Sequence, residues 1–255
     1  MCGRFSLNHP PEEIVSTFGL ADVERFPPRY NIAPTQPVLV VSAAPAQMPG
    51  SNRPDREAGL MRWGLLPSWV KDPKDFPTLI NARSETAATK PSFRAAMRHR
   101  RCIVPASGFY EWQRNTQTKQ SQAWWVPRSN GDVAAFAALH ETYIGHDGSE
   151  IDTVAILTTE ATGTFAQIHN RIPVVLSPAD FARWMDCKTQ EPRDVADLLR
   201  EPPLDYFQPV PVSDAVNKVA NSGPHIQQAV TPKNLDAEEK TNEQPGEADT
   251  QLPLF

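Results

Sequence analysis

Apolar side chains in this chain come in short bursts rather than in long periodic runs. "PVLVVSA", "GLMRWGLL", "RCIVPASGFYEW", "AWWVP", "VAAFAALHETY", "TVAILTTE" and "IPVVL" are rich in β-branched and aromatic residues. Each has the length of a strand, and several are followed closely by Gly, Pro, Asn or Asp, which stop a strand and turn it. Helical spacing is rarer. "PPEEIVSTFG" opens on prolines and closes on Gly19, and "PSFRAAMRHR", "SPADFARWMDC" and "EPRDVADLLRE" show the same kind of punctuation. Strands outnumber helices and do not alternate with them as βαβ units would. This predicts an α+β fold built on a mainly antiparallel sheet or barrel, flanked by a few helices. "AAPAQMPGSNRPDRE", from Ala43 to Glu57, interrupts the pattern as a polar, proline-rich excursion and reads as an exposed loop.

The pattern fails after residue 231. Residues 2–231 read as one domain, which a 255-residue chain accommodates with a proper core. Residues 232–255 hold two lysines and six acids, a net of −4, with no aromatic before the last residue, so they read as a disordered acidic tail. That tail ends in "QLPLF", whose apolar side chains suit either a plain terminus or a short peptide that docks in another protein's groove.

Charge changes the picture in one place. The formal net charge is −5, which disfavours nucleic acid as a partner, but with the tail set aside the body carries only −1. From Arg83 to Arg101 six cationic side chains stand against Glu85 alone. This is either a basic face for a polyanion or a solvated helix surface. No apolar run approaches the roughly 18 residues of a spanning helix, and the N-terminus lacks a secretion signal. Cys2, Cys102 and Cys187 are an odd set without metal-site spacing, as expected of free thiols in a reducing cytoplasm, with Cys102 and Cys187 in the core. His9, His99, His140, His146 and His225 show no ligand clustering, so neither metal nor cofactor is expected.

The chemistry begins at "MCGRF". Once Met1 is removed, Cys2 carries a thiol and an α-amine on adjacent carbons, and the pair can attack one electrophile twice. Position 2 is otherwise a small residue in a loose terminus, but the Phe5 and Leu7 that follow suit a segment that packs. Glu111, between "GFY" and Trp112, sits where burial raises a carboxyl pKa and fits it to move protons; a surface strand end is the plain alternative. His169 is either a structural ring or an acid/base group, and Asn81 either a turn-bridging amide or a substrate positioner.

"MCGRF", "RYNIAPTQ", "WGLLPSW", "INARSET", "GFYEW" and "HNRIPVVL" follow one another in the order of a known family. Over residues 2 to about 225 the chain resembles the SRAP proteins, named as SOS-response-associated peptidases and understood as shields of abasic DNA sites. The resemblance implies an SRAP-like fold and a covalent role for Cys2, with Asn81 as positioner, Glu111 as proton-transfer group and His169 as acid/base group. It places Arg4, Pro34, Trp69, Arg83, Thr158 and Arg171 against DNA and makes single-stranded DNA the partner of a monomer. "QLPLF" is similar to the pentapeptide by which bacterial repair proteins dock on the β sliding clamp, through Gln251, Leu252, Leu254 and Phe255. Two rival readings stand beside it: an N-terminal-nucleophile hydrolase or peptidase with Cys2 as nucleophile, and a noncatalytic single-strand-binding adaptor.

Overall fold

The computed structural model describes residues 2–45 and 50–236. In chain order these form β1 (Arg4–Leu7), α1 (Pro11–Phe18), β2 (Arg29–Ile32), β3 (Pro37–Ala43), β4 (Arg56–Trp63), β5 (Asn81–Arg83), α2 (Ser84–Ala87), α3 (Arg94–His99), β6 (Arg101–Ala106), β7 (Gly108–Arg114), β8 (Ser121–Pro127), β9 (Ala134–Ile144), β10 (Glu150–Glu160), β11 (Arg171–Pro173), α4 (Phe181–Met185) and β12 (Val210–Val212). Short 3₁₀ turns fill several of the connections.

Two sheets carry the fold. In the first, β10, β4, β3, β6 and β9 follow one another, and β9 pairs back onto β10 to close a five-stranded barrel. β5 and β11 pair with the C-terminal half of β10, outside the ring. Every ladder is antiparallel except those of β10 with β4 and β5. In the second sheet the order is β12-β8-β7-β1-β2, antiparallel throughout. The predicted α+β class with a mainly antiparallel barrel is the observed one. A long apolar stretch of β9 is largely alanine, and Ala134, Ala137 and Ala138 are fully buried. Small side chains there let the strand lie between β6 and β10 with both faces covered, so packing overrides alanine's weak strand preference.

"RCIVPASGFYEW" is two strands rather than one. Ser107 separates β6 from β7, and its N–H donates to Ser6 O at 2.8 Å, so one residue passes the chain from barrel to second sheet. Gly108 then sits where a β-carbon would lie 2.6 Å from both the Trp125 ring and Val126 O, and only glycine allows β8 that close. "IPVVL" also differs. Only Arg171–Pro173 pairs as a strand; beyond Pro173 the chain crosses from β10 to β9, with Val174 N–H donating to Leu157 O and Leu176 N–H to Ala135 O. α1 follows its sequence signals, with Pro11 at its start and Gly19 left-handed at φ 63°. It buries Ile14 and Phe18, and Phe18 stacks on Phe181 of α4 with centroids 5.2 Å apart. "EPRDVADLLRE" forms a 3₁₀ turn over Pro192–Leu198, whose three-residue repeat sets Val195 and Leu198 on the same buried side.

Between barrel and second sheet the core is aromatic. Phe5 meets Trp63 edge-on at 5.0 Å, and Phe109 contacts Phe136, Phe165 and Phe207. A smaller cluster of Tyr110, Trp125, Val212, Val216 and Ile226 covers the other face of the second sheet. The basic run splits. Arg101 is 1% exposed and donates to the carbonyls of Met97, Trp184, Asp186 and Gln190, which tie α3 to α4 and the turn after it. Arg100 pairs with Glu141 and Arg98 with Glu191, leaving Arg83, Lys90 and Arg94 exposed. Cys102 is in the core. Cys187 is only half-buried, because its sulfur sits at a strand end and accepts from Arg101 N–H. Residues 233–236 lie against β8 and the turn that precedes it: Lys233 N–H donates to Gln122 and Thr118 Oγ1 to Leu235 O. No helix among the described residues is long and apolar enough to cross a membrane.

Candidate active site

Cys2 leads directly into β1, which lies between β2 and β7 with Arg4 opposite Tyr110 and Phe5 opposite Ile32. This central place explains why the residue is 1% exposed rather than loose. Its carbonyl accepts a hydrogen bond from Asn81 Nδ2 at 2.8 Å. Asn81 opens β5 opposite Ile156, and its neighbour Ile80 is fixed by the Trp63 indole N–H and Ile156 N–H, both donating to its carbonyl. The Asn81 side-chain oxygen is buried without a hydrogen-bond partner among the described residues. It is an acceptor held ready beside the cysteine.

Glu111 follows Tyr110 on β7, on the same side of the strand as Phe109, opposite Trp124 of β8. Its side chain is 4% exposed, and Oε1 lies 3.9 Å from His169 Nδ1. Burial pushes the Glu111 carboxyl up, against the pull of His169. Burial also raises the Cys2 thiol far above its ordinary range, and the Glu111 charge adds to it. The sulfur accordingly remains S–H, with Arg4 O as its acceptor at 3.8 Å. His169 stands at the mouth of β11, where Arg171 N–H donates to its Nδ1 at 3.0 Å. The same nitrogen lies 3.3 Å from Arg171 O, so the Arg171 backbone holds one edge of the ring.

The six residues of the DNA-facing set fall in different settings. Arg83 is exposed, and opposite it on β10 Thr158 is fully buried. Arg171 is 9% exposed and forks onto Glu85, Nη1 to Oε1 at 2.8 Å and Nη2 to Oε2 at 2.9 Å; Nη2 also meets the carbonyl and hydroxyl of Thr158. Arg4 Nη1 donates to Asn31 Oδ1 at 2.8 Å and Val216 O at 3.0 Å. Pro34 is half-buried in the turn that Thr35 N–H ties to Trp63 O. Trp69 is 57% exposed on the 64–80 loop, edge-on to Phe76. The structure therefore gathers Cys2, Asn81, Glu111 and His169 in one site, ties Thr158 to Arg171, and sets Arg83 and Trp69 outside it in solvent. Gln251, Leu252, Leu254 and Phe255 lie outside the described residues.

Two residues escaped the sequence reading. Asn31 donates through Nδ2 to the carbonyls of Val216, Lys218 and Asn221, so it fixes the 216–221 loop and Arg4 together. Glu85 stood out only as the sole acid in a basic run. That was a usable signal, because an acid kept there implies a cation to hold. Among the described residues no group of three His, Cys, Asp or Glu is placed to hold a metal ion. A cavity of about 1110 Å³ lies away from this chemistry, lined in part by Glu57, Arg100, His140, Thr142 and Asp152. Asp152 and Thr158 are separated by six residues of β10, so this cavity is at the opposite end of the barrel, about 20 Å away.

A barrel closed on β9 and β10 beside a second antiparallel sheet is a fold found before. A solved protein of Bacteroides thetaiotaomicron superposes with a TM-score of 0.77 over 90% of this chain and 100% of its own, at 21% identity. The family model described as SOS response associated peptidase (SRAP) matches residues 1–219, and the chain belongs to that family. It is 35% identical over 230 residues to the abasic site processing protein YoqW of Bacillus subtilis (strain 168), covering 89% of this chain and 98% of the relative. To the abasic site processing protein YedK of Escherichia coli (strain K12) it is 33% identical over 239 residues, covering 90% and 100%.

Proposed function

We propose that this chain processes abasic sites by capturing them covalently in single-stranded DNA, through Cys2 once Met1 has been removed. The observation that carries this reading is the buried Cys2, held at its carbonyl by Asn81 in a site that also contains a carboxyl and an imidazole 3.9 Å apart. An abasic sugar equilibrates with an open-chain aldehyde. The Cys2 amine adds to it to give a carbinolamine, which loses water to form an imine. The S–H then adds across C=N: sulfur bonds to carbon, its proton passes to nitrogen, and a five-membered thiazolidine closes with no oxidant or cofactor.

The protonation states support that order. A thiol kept as S–H is a poor first nucleophile, so the amine attacks first and the sulfur second. Glu111, its carboxyl raised by burial, supplies the proton that the carbinolamine hydroxyl needs to leave. His169, held at Nδ1 by the Arg171 backbone, suits proton exchange with the sugar oxygen as the ring opens. Arg83, exposed beside the site, contributes phosphate attraction, and Trp69 offers a stacking face. Docking on a β sliding clamp through Gln251–Phe255 would raise the local concentration of this activity at replication forks in the cytoplasm. Removing those five residues should weaken clamp binding and leave capture of free oligonucleotides intact; equal clamp affinity with and without them rejects the docking reading.

The deciding experiment is intact mass after incubation with a single-stranded oligonucleotide bearing one abasic site. The expected result is loss of Met1 and a stable protein–DNA species that Cys2→Ala does not form. Loss of Met1 without an adduct, with turnover of an amide substrate, would move the assignment to an N-terminal-nucleophile hydrolase.

A further inference from the structure

We infer that Thr35 is a DNA-binding residue of the capture site: its hydroxyl donates to a phosphate oxygen of the single strand beside the lesion, and the backbone around it accepts strain in order to hold it there. This rests on the covalent-capture reading above.

Three observations converge on this residue. First, its backbone is in a conformation that its side chain disfavours. Thr35 has φ 72°, and Lys119, at φ 61°, is the other non-glycine residue with positive φ among the described residues. Lys119 lies in the tight turn between β7 and β8, where a left-handed residue is ordinary. A β-branched residue in that region is an outlier, because its second γ-atom crowds the backbone, and glycine would carry the same turn without that cost. Second, the turn is fastened on both sides, which is what a strained residue needs in order to persist. Thr35 N–H donates to Trp63 O at 2.8 Å, Trp63 N–H to Gln36 O at 3.0 Å and Gln36 N–H to Ala33 O at 3.3 Å. Gln36 Oε1 accepts from Ala33 N–H at 3.2 Å and from Arg29 Nη2 at 2.8 Å. The Thr35 hydroxyl takes part in none of these bonds; the residue is exposed, and its side chain has no hydrogen-bond partner among the described residues. Third, the turn adjoins the reactive cysteine. Ile32 faces Phe5 in the ladder of β1 with β2, so three residues further on the chain reaches the end of β1 that Cys2 leads into. Trp63, which accepts the Thr35 N–H, donates its indole N–H to Ile80 O at 2.9 Å, and the next residue, Asn81, holds the Cys2 carbonyl. One tryptophan therefore ties this turn to the strand that positions Cys2.

An exposed threonine on relaxed backbone would carry no message, whereas a strained one beside the nucleophile does. Hydroxyl groups commonly bind phosphate oxygens where a protein needs to fix position rather than add charge. Pro34 has no N–H to offer, and the Thr35 N–H is spent on Trp63 O, so the Thr35 hydroxyl is the one free donor of this pair. Arg83, exposed in solvent, and Thr35 then divide the work: the cation attracts the polyanion, and the hydroxyl sets where along the strand Cys2 meets it.

The test separates fold, binding and chemistry. Thr35→Gly removes the hydroxyl and the strain together, so it should melt no lower than the parent. Its affinity for single-stranded DNA, measured in a Cys2→Ala background, should nevertheless fall about fivefold. Thr35→Val keeps the shape without the hydroxyl and should lose as much, and Thr35→Ser should recover most of the affinity. Because no charge is removed, the dependence of affinity on salt should keep its slope in these variants, while Arg83→Ala reduces it by about one phosphate contact. The loss should be equal for an intact oligonucleotide and for one bearing an abasic site, since both present the phosphate. With Cys2 intact, capture should suffer more at limiting than at saturating DNA. Unchanged affinity in Thr35→Gly and Thr35→Val overturns the proposal. So does a Thr35→Gly protein that melts well below the parent, because the side chain would then be serving the fold. A loss confined to the abasic oligonucleotide also overturns it, since the hydroxyl would then contact the lesion and not a phosphate. A parent that captures no abasic DNA fails the covalent-capture reading alone, because the binding arm is run without the nucleophile and Thr35-dependent affinity there still upholds the contact.

Discussion

Glu111 shows how one side chain can oppose the fold in order to serve the site. Burial lifts its carboxyl above the ordinary 4.5, so the stabilisation associated with its proton is complete below that value and is lost as pH rises through the folded pKa. At pH 8 the group therefore weighs against folding. Glu111→Gln keeps the shape without the ionisation and should raise Tm by a few degrees at pH 8, with the gain gone below about pH 4; melting curves across that range, beside a capture assay in which the variant is severely slowed, check both halves. His140 works in the opposite direction. Burial, aided by Arg100, depresses it from 6.5 to about 4, so its contribution is complete above about 6.5 and is lost as pH falls toward 4. The loss is on the order of 3 kcal/mol, and His140→Gln should flatten acid denaturation in that window, measured by urea titration at stepped pH. Residue types and motif order made Cys2, Asn81, Glu111 and His169 visible in the sequence. The Glu85–Arg171 fork was not visible, because 86 positions separate its partners and only the meeting of α2, β10 and β11 brings them together.

Among the elements, those whose signals are local were readable in advance. β3 coincides with "PVLVVSA", and α1 lies between its prolines and Gly19. The division of "RCIVPASGFYEW" was not readable, since nothing apolar or polar in the string marks Ser107 as the residue at which the chain leaves one sheet for another. What marks it is tertiary: Ser107 N–H bonds to Ser6, and β8 presses on Gly108. Gly108→Val should therefore destabilise by more than about 3 kcal/mol, as an overpacked strand contact does. Because β7 carries Glu111, capture should fall along with stability; a variant with wild-type chemical-denaturation midpoint would show that β8 yields at no cost. The predicted helix over "EPRDVADLLRE" tightened to a 3₁₀ turn for a similar reason, since the surface it packs on rewards three-residue spacing at Val195 and Leu198.

Taken whole, the molecule separates its two ends. β10 runs from the cavity around Asp152 and Thr142 to the reactive site around Thr158, and the closed barrel between them is a packed core rather than a channel. Acid titration of His140 at one end should therefore change stability without altering the capture rate of the folded fraction at the other. The same core has a consequence for how long the protein remains usable. Cys2 is sealed from solvent and its sulfur is kept protonated, whereas alkylating agents, peroxides and mixed disulfides all react with the thiolate. Native protein should label at Cys2 with iodoacetamide many times more slowly than after unfolding, as peptide mapping would read. On the covalent-capture reading proposed above, burial keeps this nucleophile available until it meets its lesion, and so sets its shelf life.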